Sequence, residues 1–295
     1  MIRVLSPGLF TTVQDLGRNG YAHLGVSPAG AADPVSLRIG NRLVGNPEGA
    51  AALEMTLQGG RYEFDTDAVV ALTGGEFVGG SIPMWRAVAV AKGTTIDIGS
   101  AKSGVRCYLC VRGGIDAPRI MGSASTHVLS GFGGPLKRGD ILGIRAPGGP
   151  LPDGRGSFIP EFRKRIRVTS GAQSCAFDAQ QAITLATETY QVSDDSNRMG
   201  LRLKGAALHP PHDGQMLSEG VALGAIQIPP QGQPIILFVD AQTTGGYPVI
   251  ASVISADLSS VGQLRPRDAV TFEFVSFAEA RRLLFEQEKT IAAIR

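Results

Sequence analysis

The sequence predicts a mainly β protein built as two lobes with a few short helices. Three observations lead there. Short segments of alternating polarity recur between the 39 glycines, which are spread along the chain rather than gathered into a linker. Two continuously apolar β-type runs, Ile235 to Val239 and Val249 to Ile254, enclose a polar turn. The regions on either side of an aperiodic stretch, Ala146 to Glu161, carry related punctuation. Many short strands at such spacing indicate barrels or sandwiches.

In chain order, the expected strands are Arg3 to Leu5, Arg61 to Phe64, Ala68 to Leu72 and a pair within Val88 to Ile98 that Lys92-Gly93 turns back on itself. Val105 to Val111, Ile141 to Ile144, Ile166 to Thr169, Thr189 to Val192 and Val270 to Val275 complete the set with the two apolar runs. Asp33-Pro34 reads as an N-cap followed by proline at the first helical position, with Val35, Ile39 and Leu43 on one face and Gly45 to close. Ser276-Phe-Ala-Glu279 is a capping box that opens a terminal helix. A weaker helical pattern covers Ser174 to Leu185.

The aperiodic stretch divides the chain into lobes at 1–150 and 160–295. Leu136-Lys-Arg-Gly-Asp140 precedes the last strand of the first and Leu264-Arg-Pro-Arg-Asp268 the last strand of the second. Arg3-Val-Leu-Ser-Pro-Gly and Arg167-Val-Thr-Ser-Gly open the two. A duplicated β unit and chance recurrence of a common turn both explain this.

Charged residues are 18% of the 295 and the net charge is +2, so the basic stripe of a nucleic-acid binder is missing and an acidic small molecule is the more natural ligand. Three cysteines give no disulfide framework, Met1 to Leu5 leads into a turn without a signal-type apolar region, and no run reaches membrane-spanning length. The expectation is a cytoplasmic protein that binds neither nucleic acid nor membrane. Cys107-Tyr-Leu-Cys110 lies inside a strand, where residues three apart face opposite ways, and reads as two buried thiols. His209-Pro-Pro-His212 reads as a loop, and no metal site is expected. Neither a Gly-x-Ser-x-Gly elbow nor a Walker A loop occurs.

Hydrogen-bonding residues concentrate in three places. Asp240, Gln242, Thr243, Thr244, Gly245, Gly246 and Tyr247 form a segment too long and too polar for a minimal hairpin turn. In the glycine-spaced Thr11 to Asp33 segment, Arg18 can orient a carboxylate, His23 can transfer a proton and Asp15 can fix either; the alternative is a loop clamp. In Asp194 to Gly200, Arg198 can bind an anion or anchor its loop to the aspartates.

Thr11-Thr-Val-Gln-Asp-Leu-Gly-Arg, His23-Leu-Gly-Val, Gly30-Ala-x-Asp-Pro, Ser196-Asn-Arg-Met-Gly, Leu217-Ser-Glu-Gly, Gly224-Ala-Ile-Gln-x-Pro and Gln242-Thr-Thr-Gly-Gly-Tyr-Pro, in this order, resemble the KipA family. Its members are also known as the C-type subunits of 5-oxoprolinase or as the biotin-dependent carboxyltransferase family, and formerly as the second subunit of allophanate hydrolase. The resemblance implies two cyclophilin-like β-barrel lobes and two partners, a KipI-like B-type subunit and the A-type subunit of 5-oxoprolinase, which together open 5-oxo-L-proline to glutamate with ATP. The chain departs from the expected family pattern at Ala29 and Ala241. It has no Met-Lys-Met biotinyl site, so any carboxybiotin arrives on another protein.

The chemistry shared by the family's activities is activation of a planar amide or lactam. Phosphorylating a lactam oxygen requires removal of the N–H proton or stabilisation of an imidate-like form, for which a base opposite a cationic clamp suffices. Asp15 or Asp240 is the expected base, with His23 as proton carrier. Arg18 and Arg198 would hold a carboxylate or phosphate, Thr243, Thr244 and the Gly245 and Gly246 amides an oxyanion, with Glu219 and Gln227 completing the wall. Two alternatives remain: a carboxyltransferase component acting on urea or a related amide, and a regulatory antagonist of a KipI-like kinase inhibitor.

Overall fold

The computed structural model describes residues 1–149 and 158–294. Its contacts divide the chain into one unit of Met1–Arg18, Ala29–Glu161 and Glu288–Arg295, and another of Asn19–Pro28 and Phe162–Gln287. The expected boundary, Ala146 to Glu161, falls partly on residues 150–157, outside the described residues. A single cut there leaves two segments with the other lobe: 19–28, and the chain end from Glu288.

The first unit contains β1 (Ile2–Ser6), β2 (Phe10–Gln14), β3 (Ala52–Thr56), β4 (Arg61–Phe64), β5 (Ala68–Gly74) and β6 (Phe77–Val78). Then come β7 (Ala87–Val90), β8 (Thr95–Asp97), β9 (Ser100–Ala101), β10 (Arg106–Val111), β11 (Ile115–Asp116) and β12 (Ile141–Ile144). They form two five-stranded sheets, β11-β12-β1-β4-β8 and β2-β3-β10-β5-β7, with β6 and β9 paired apart. Ile2, Val4, Tyr62, Phe64 and Ile96 from the first sheet pack on Val13, Leu53, Met55, Leu72, Cys107 and Leu109 from the second, so this unit is a sandwich. Lys92-Gly93 does not close a hairpin. β7 pairs with β5 and β8 with β4, and the turn carries the chain from one sheet to the other.

The outer face of the second sheet is polar yet buried. Thr12 stands opposite Glu54, Glu54 opposite Tyr108, and Tyr108 opposite Thr73. The Glu54 carboxylate accepts from the Ala32 N–H at 2.8 Å and the Tyr108 hydroxyl at 2.7 Å, with Arg106 Nε 3.6 Å away. Burial and the Glu54 charge push the Tyr108 phenol far above its ordinary range, so it remains a donor. α1 (Pro34–Leu43) covers this face, and its N-cap is the expected one: Asp33 accepts from the Ser36 N–H at 3.0 Å. A Cβ on Gly40 would lie 2.6 Å from Cys110 Sγ, which explains glycine in mid-helix. Cys107 faces the sandwich core and Cys110 faces α1, the opposite-face arrangement that strand geometry demands.

The second unit contains β13 (Arg165–Ser170), α2 (Ala179–Thr187), β14 (Tyr190–Val192), β15 (Gly200–Lys204), β16 (Glu219–Gly220) and β17 (Ala225–Gln227). It continues with β18 (Ile235–Leu237), β19 (Thr244–Gly245), β20 (Val249–Val253), α3 (Leu258–Gly262), β21 (Ala269–Phe274) and α4 (Phe277–Ala292), whose residues from Glu288 belong to the first unit. Seven strands close a barrel in the order β13-β20-β17-β18-β15-β14-β21. Buried residues alternate along its strands, as in Ile166/Val168, Leu201/Leu203 and Val270/Phe272, the period that fills a small barrel. The Ser174 to Leu185 helix is split into a 3-10 turn, Ser174–Ala176, and α2. Ser276 caps α4 as expected, its Oγ accepting from the Glu279 N–H at 3.1 Å.

The repeated punctuation is a repeated turn. Asp140 accepts from the Lys137 N–H and Asp268 from the Arg265 N–H, each at 2.8 Å. The strand that follows lies beside the unit's first strand in both cases, antiparallel for β12 with β1 and parallel for β21 with β13. Among the described residues, no helix is long and apolar enough to cross a membrane, and no cluster of three His, Cys, Asp or Glu is placed to hold a metal.

Candidate functional site

β18 and β20 are not hairpin partners, because β17 lies between them and pairs with both. The chain from Val239 to Pro248 must therefore bridge the ends of two strands separated by a third, which is why the polar segment is long. Part of it is pinned by a small ribbon, β16 with β19, in which Glu219 faces Gly245 and Gly220 faces Thr244. The Met216 N–H donates to the Gly246 carbonyl at 3.0 Å and the Val221 N–H to the Thr243 carbonyl at 3.0 Å, so both arms of the ribbon are tied beyond the strands.

Beneath the ribbon lies Gln227, 1% exposed. Its Nε2 donates to the Tyr247 carbonyl at 3.2 Å, and a Cβ on Gly245 would come within 2.6 Å of that nitrogen. Glycine at 245 is thus a packing requirement set by the Gln227 amide. Glu219 is exposed, and its carboxylate accepts from Gln173 Nε2, while the Gln173 carbonyl oxygen accepts from the Val249 N–H at 3.0 Å. Gln173 carries no sequence signal of its own, since its partners are 46 and 76 residues away.

Arg198 and Asp240 form the centre of the segment's entry. Arg198 Nε donates to Asp240 Oδ2 at 2.8 Å and Nη2 to Oδ1 at 3.0 Å, with both side chains only 11% exposed. The Asp240 N–H donates to the Arg198 carbonyl at 2.9 Å, so side chains and backbones are joined twice over. Gln242 and Thr244 are exposed, Thr243 is half-buried, and the Tyr247 ring is 40% exposed. A two-pronged cation from the 194–200 segment thereby meets a carboxylate on the 239–248 segment, which also carries hydroxyls and two adjacent glycines.

The N-terminal candidates separate. Asp15, in the first unit, accepts from Ser123 Oγ at 2.5 Å, Ser125 Oγ at 2.6 Å, the Ala124 N–H at 2.8 Å and the Gly17 N–H at 2.8 Å. Three of these donors meet Oδ1 and one meets Oδ2, so the carboxylate is tied to the 123–125 segment. Arg18 is 2% exposed, donates to the carbonyls of Ser125 and Ile120, and lies 5.1 Å from the Phe132 ring centre. Both grip the same 120–125 segment, to which Ser123 and Ser125 contribute without any local sequence signal. His23 is exposed on a 3-10 turn, Ala22–Leu24, in the segment that clusters with the second unit.

The family described as carboxyltransferase domain, subdomain A and B, matches residues 24–274, and the chain belongs to it. Within it, the chain is 38% identical over 303 residues to the C-type subunit of 5-oxoprolinase from Escherichia coli, covering 98% of this chain and 96% of that protein. It is 37% identical over 310 residues to the corresponding 5-oxoprolinase subunit of Haemophilus influenzae, covering 100% and 98% respectively. The fold also matches the crystal structure of the K. lactis urea amidolyase with a TM-score of 0.89 and 33% identity over the whole chain, which spans 20% of that larger protein.

Proposed function

We propose that this protein is the C-type component of a heteromeric, ATP-dependent 5-oxoprolinase that opens 5-oxo-L-proline to L-glutamate. The observation that carries the reading is similarity to C-type 5-oxoprolinase subunits across nearly the full length of both chains. Phosphoryl transfer from ATP to the lactam oxygen releases ADP, one water adds to the activated carbon as the C–N bond breaks and the nitrogen is protonated, leaving an acyl phosphate, and a second water converts that to L-glutamate and phosphate. A KipI-like B-type component and an A-type component complete the complex, and ATP is bound with a partner.

The loop on the second unit suits the lactam. A guanidinium fork binds a planar carboxylate in two parallel bonds. The Thr243 and Thr244 hydroxyls suit a developing oxyanion, and Asp240 takes the lactam N–H proton. Asp15 and Arg18, by contrast, hold the 120–125 loop. A second reading, a carboxyltransferase component, draws on the family description and on the likeness to urea amidolyase.

ADP release on 5-oxo-L-proline, measured with all three components and with each omitted, decides between them. Release that requires this chain supports the 5-oxoprolinase reading. Turnover of urea that requires bicarbonate and a biotinylated partner supports the other.

A further inference from the structure

We infer that the Arg198–Asp240 pair is a carboxylate-exchange latch: an anionic lactam takes the place of Asp240 on the Arg198 fork, and the displaced Asp240 carboxylate becomes the base. The latch rests on the lactam reading of the function. As the loop stands, both Asp240 oxygens face guanidinium N–H groups, at 2.8 and 3.0 Å, so the lone pairs best placed to accept a proton are occupied. The same two-bond geometry is what a substrate carboxylate would use. One planar anion can therefore replace another on Arg198 with little change in the guanidinium's own hydrogen bonding.

Three features favour exchange over simple anchoring. The backbone bond from the Asp240 N–H to the Arg198 carbonyl, 2.9 Å, ties the two residues independently of their side chains, so the loop keeps its course when the carboxylate swings away. The Arg198 side is held separately: the Met199 N–H donates to Asn197 Oδ1 at 2.8 Å and the Phe238 N–H to the Met199 carbonyl at 3.0 Å. With both side chains 11% exposed, Asp240 leaving without a replacement would deprive a mostly buried guanidinium of its carboxylate, which is strongly disfavoured. The base is consequently generated only when a carboxylate-bearing ligand arrives. In the proton transfer the lactam N–H bond breaks, an O–H bond forms on Asp240, and the nitrogen's electron pair delocalises toward the lactam oxygen.

The test compares equilibrium binding of 5-oxo-L-proline and of 2-pyrrolidinone, which lacks the carboxylate, in the assembled complex carrying wild type, Asp240→Asn or Arg198→Lys, with turnover and the melting temperature of each variant. Asp240→Asn is expected to bind 5-oxo-L-proline at least about threefold more tightly, because its internal competitor is gone, while turnover falls by about 100-fold or more. Arg198→Lys is expected to lose most of the preference for 5-oxo-L-proline over 2-pyrrolidinone. Equal or weaker binding by Asp240→Asn overturns the latch. Failure of both variants to fold also overturns it and makes the pair a structural clamp. Failure of the lactam reading is separately visible, since the wild-type complex would then neither bind nor turn over 5-oxo-L-proline.

Discussion

At the residue scale, the two glycines that face each other's strands in the β16–β19 ribbon make opposite predictions. A methyl at Gly245 must displace the Gln227 amide, whereas a methyl at Gly220 meets nothing within 4 Å. Gly245→Ala is expected to raise the KM for the lactam about tenfold or more, a loss of about 1.4 kcal/mol of binding, while Gly220→Ala leaves kinetics unchanged. Steady-state assays of the reconstituted complex check both. At Asp15 the geometry predicts a loss of stability: Asp15→Ala removes an acceptor shared by four donors at a site 4% exposed. That should cost about 3 kcal/mol or more and lower the melting temperature by about 6–12 °C. An unchanged melting temperature with lost turnover would instead place Asp15 in the chemistry. The residue types of the site were legible in the sequence, but their pairings were not. Arg198 and Asp240 are 42 residues apart and Asp15 and Ser125 are 110 apart, distances over which no periodicity or turn signal reaches.

At the scale of elements, local signals performed well where one face is apolar and the ends are capped. α1 and α4 both begin at the expected caps, Asp33 and Ser276. β2 and β3 were hidden because neither face is conventional. Thr12 and Glu54 point into a buried polar layer, and nothing in Ala52-Leu-Glu-Met-Thr announces that Tyr108 and Ala32 will satisfy the carboxylate. The final turn of α4 makes a pH-dependent contribution to the first unit. Arg38 donates to the two Glu288 oxygens at 2.7 and 2.6 Å, and these bonds hold the Glu288 carboxyl below its ordinary value of 4.5. A depressed carboxylate stabilises fully above its unfolded value, and the contribution is lost as pH falls through the folded one. With Glu288 43% exposed, solvent screening limits the effect to about 1 kcal/mol or less. Thermal melts of Glu288→Gln should therefore lie below wild type near neutral pH, by no more than about 2–4 °C, and coincide with it in strong acid. A difference that persists in acid would assign the loss to packing.

For the whole molecule, composition and strand spacing sufficed for the mainly β class, and the ordered motifs for the family. The resemblance implied two cyclophilin-like β-barrel lobes; the second unit is a closed seven-stranded barrel and the first holds two five-stranded sheets, but which strand inserts between which was not legible along the chain. β17 entering between β18 and β20 is the example that matters, since it converts an apparent hairpin turn into the loop carrying the candidate site. Nor does periodicity show that residues 19–28 and the chain end cluster across the obvious cut. A lactamase reaction driven by ATP requires stoichiometric coupling in the assembled complex. Glutamate and ADP should be counted together in a mixture of the three components supplied with ATP and 5-oxo-L-proline. The expected result is one glutamate per ADP, both abolished when this chain is omitted and both reduced about 100-fold or more by Asp240→Asn. Unchanged glutamate formation in the absence of this chain, or turnover indifferent to Asp240→Asn, would contradict it.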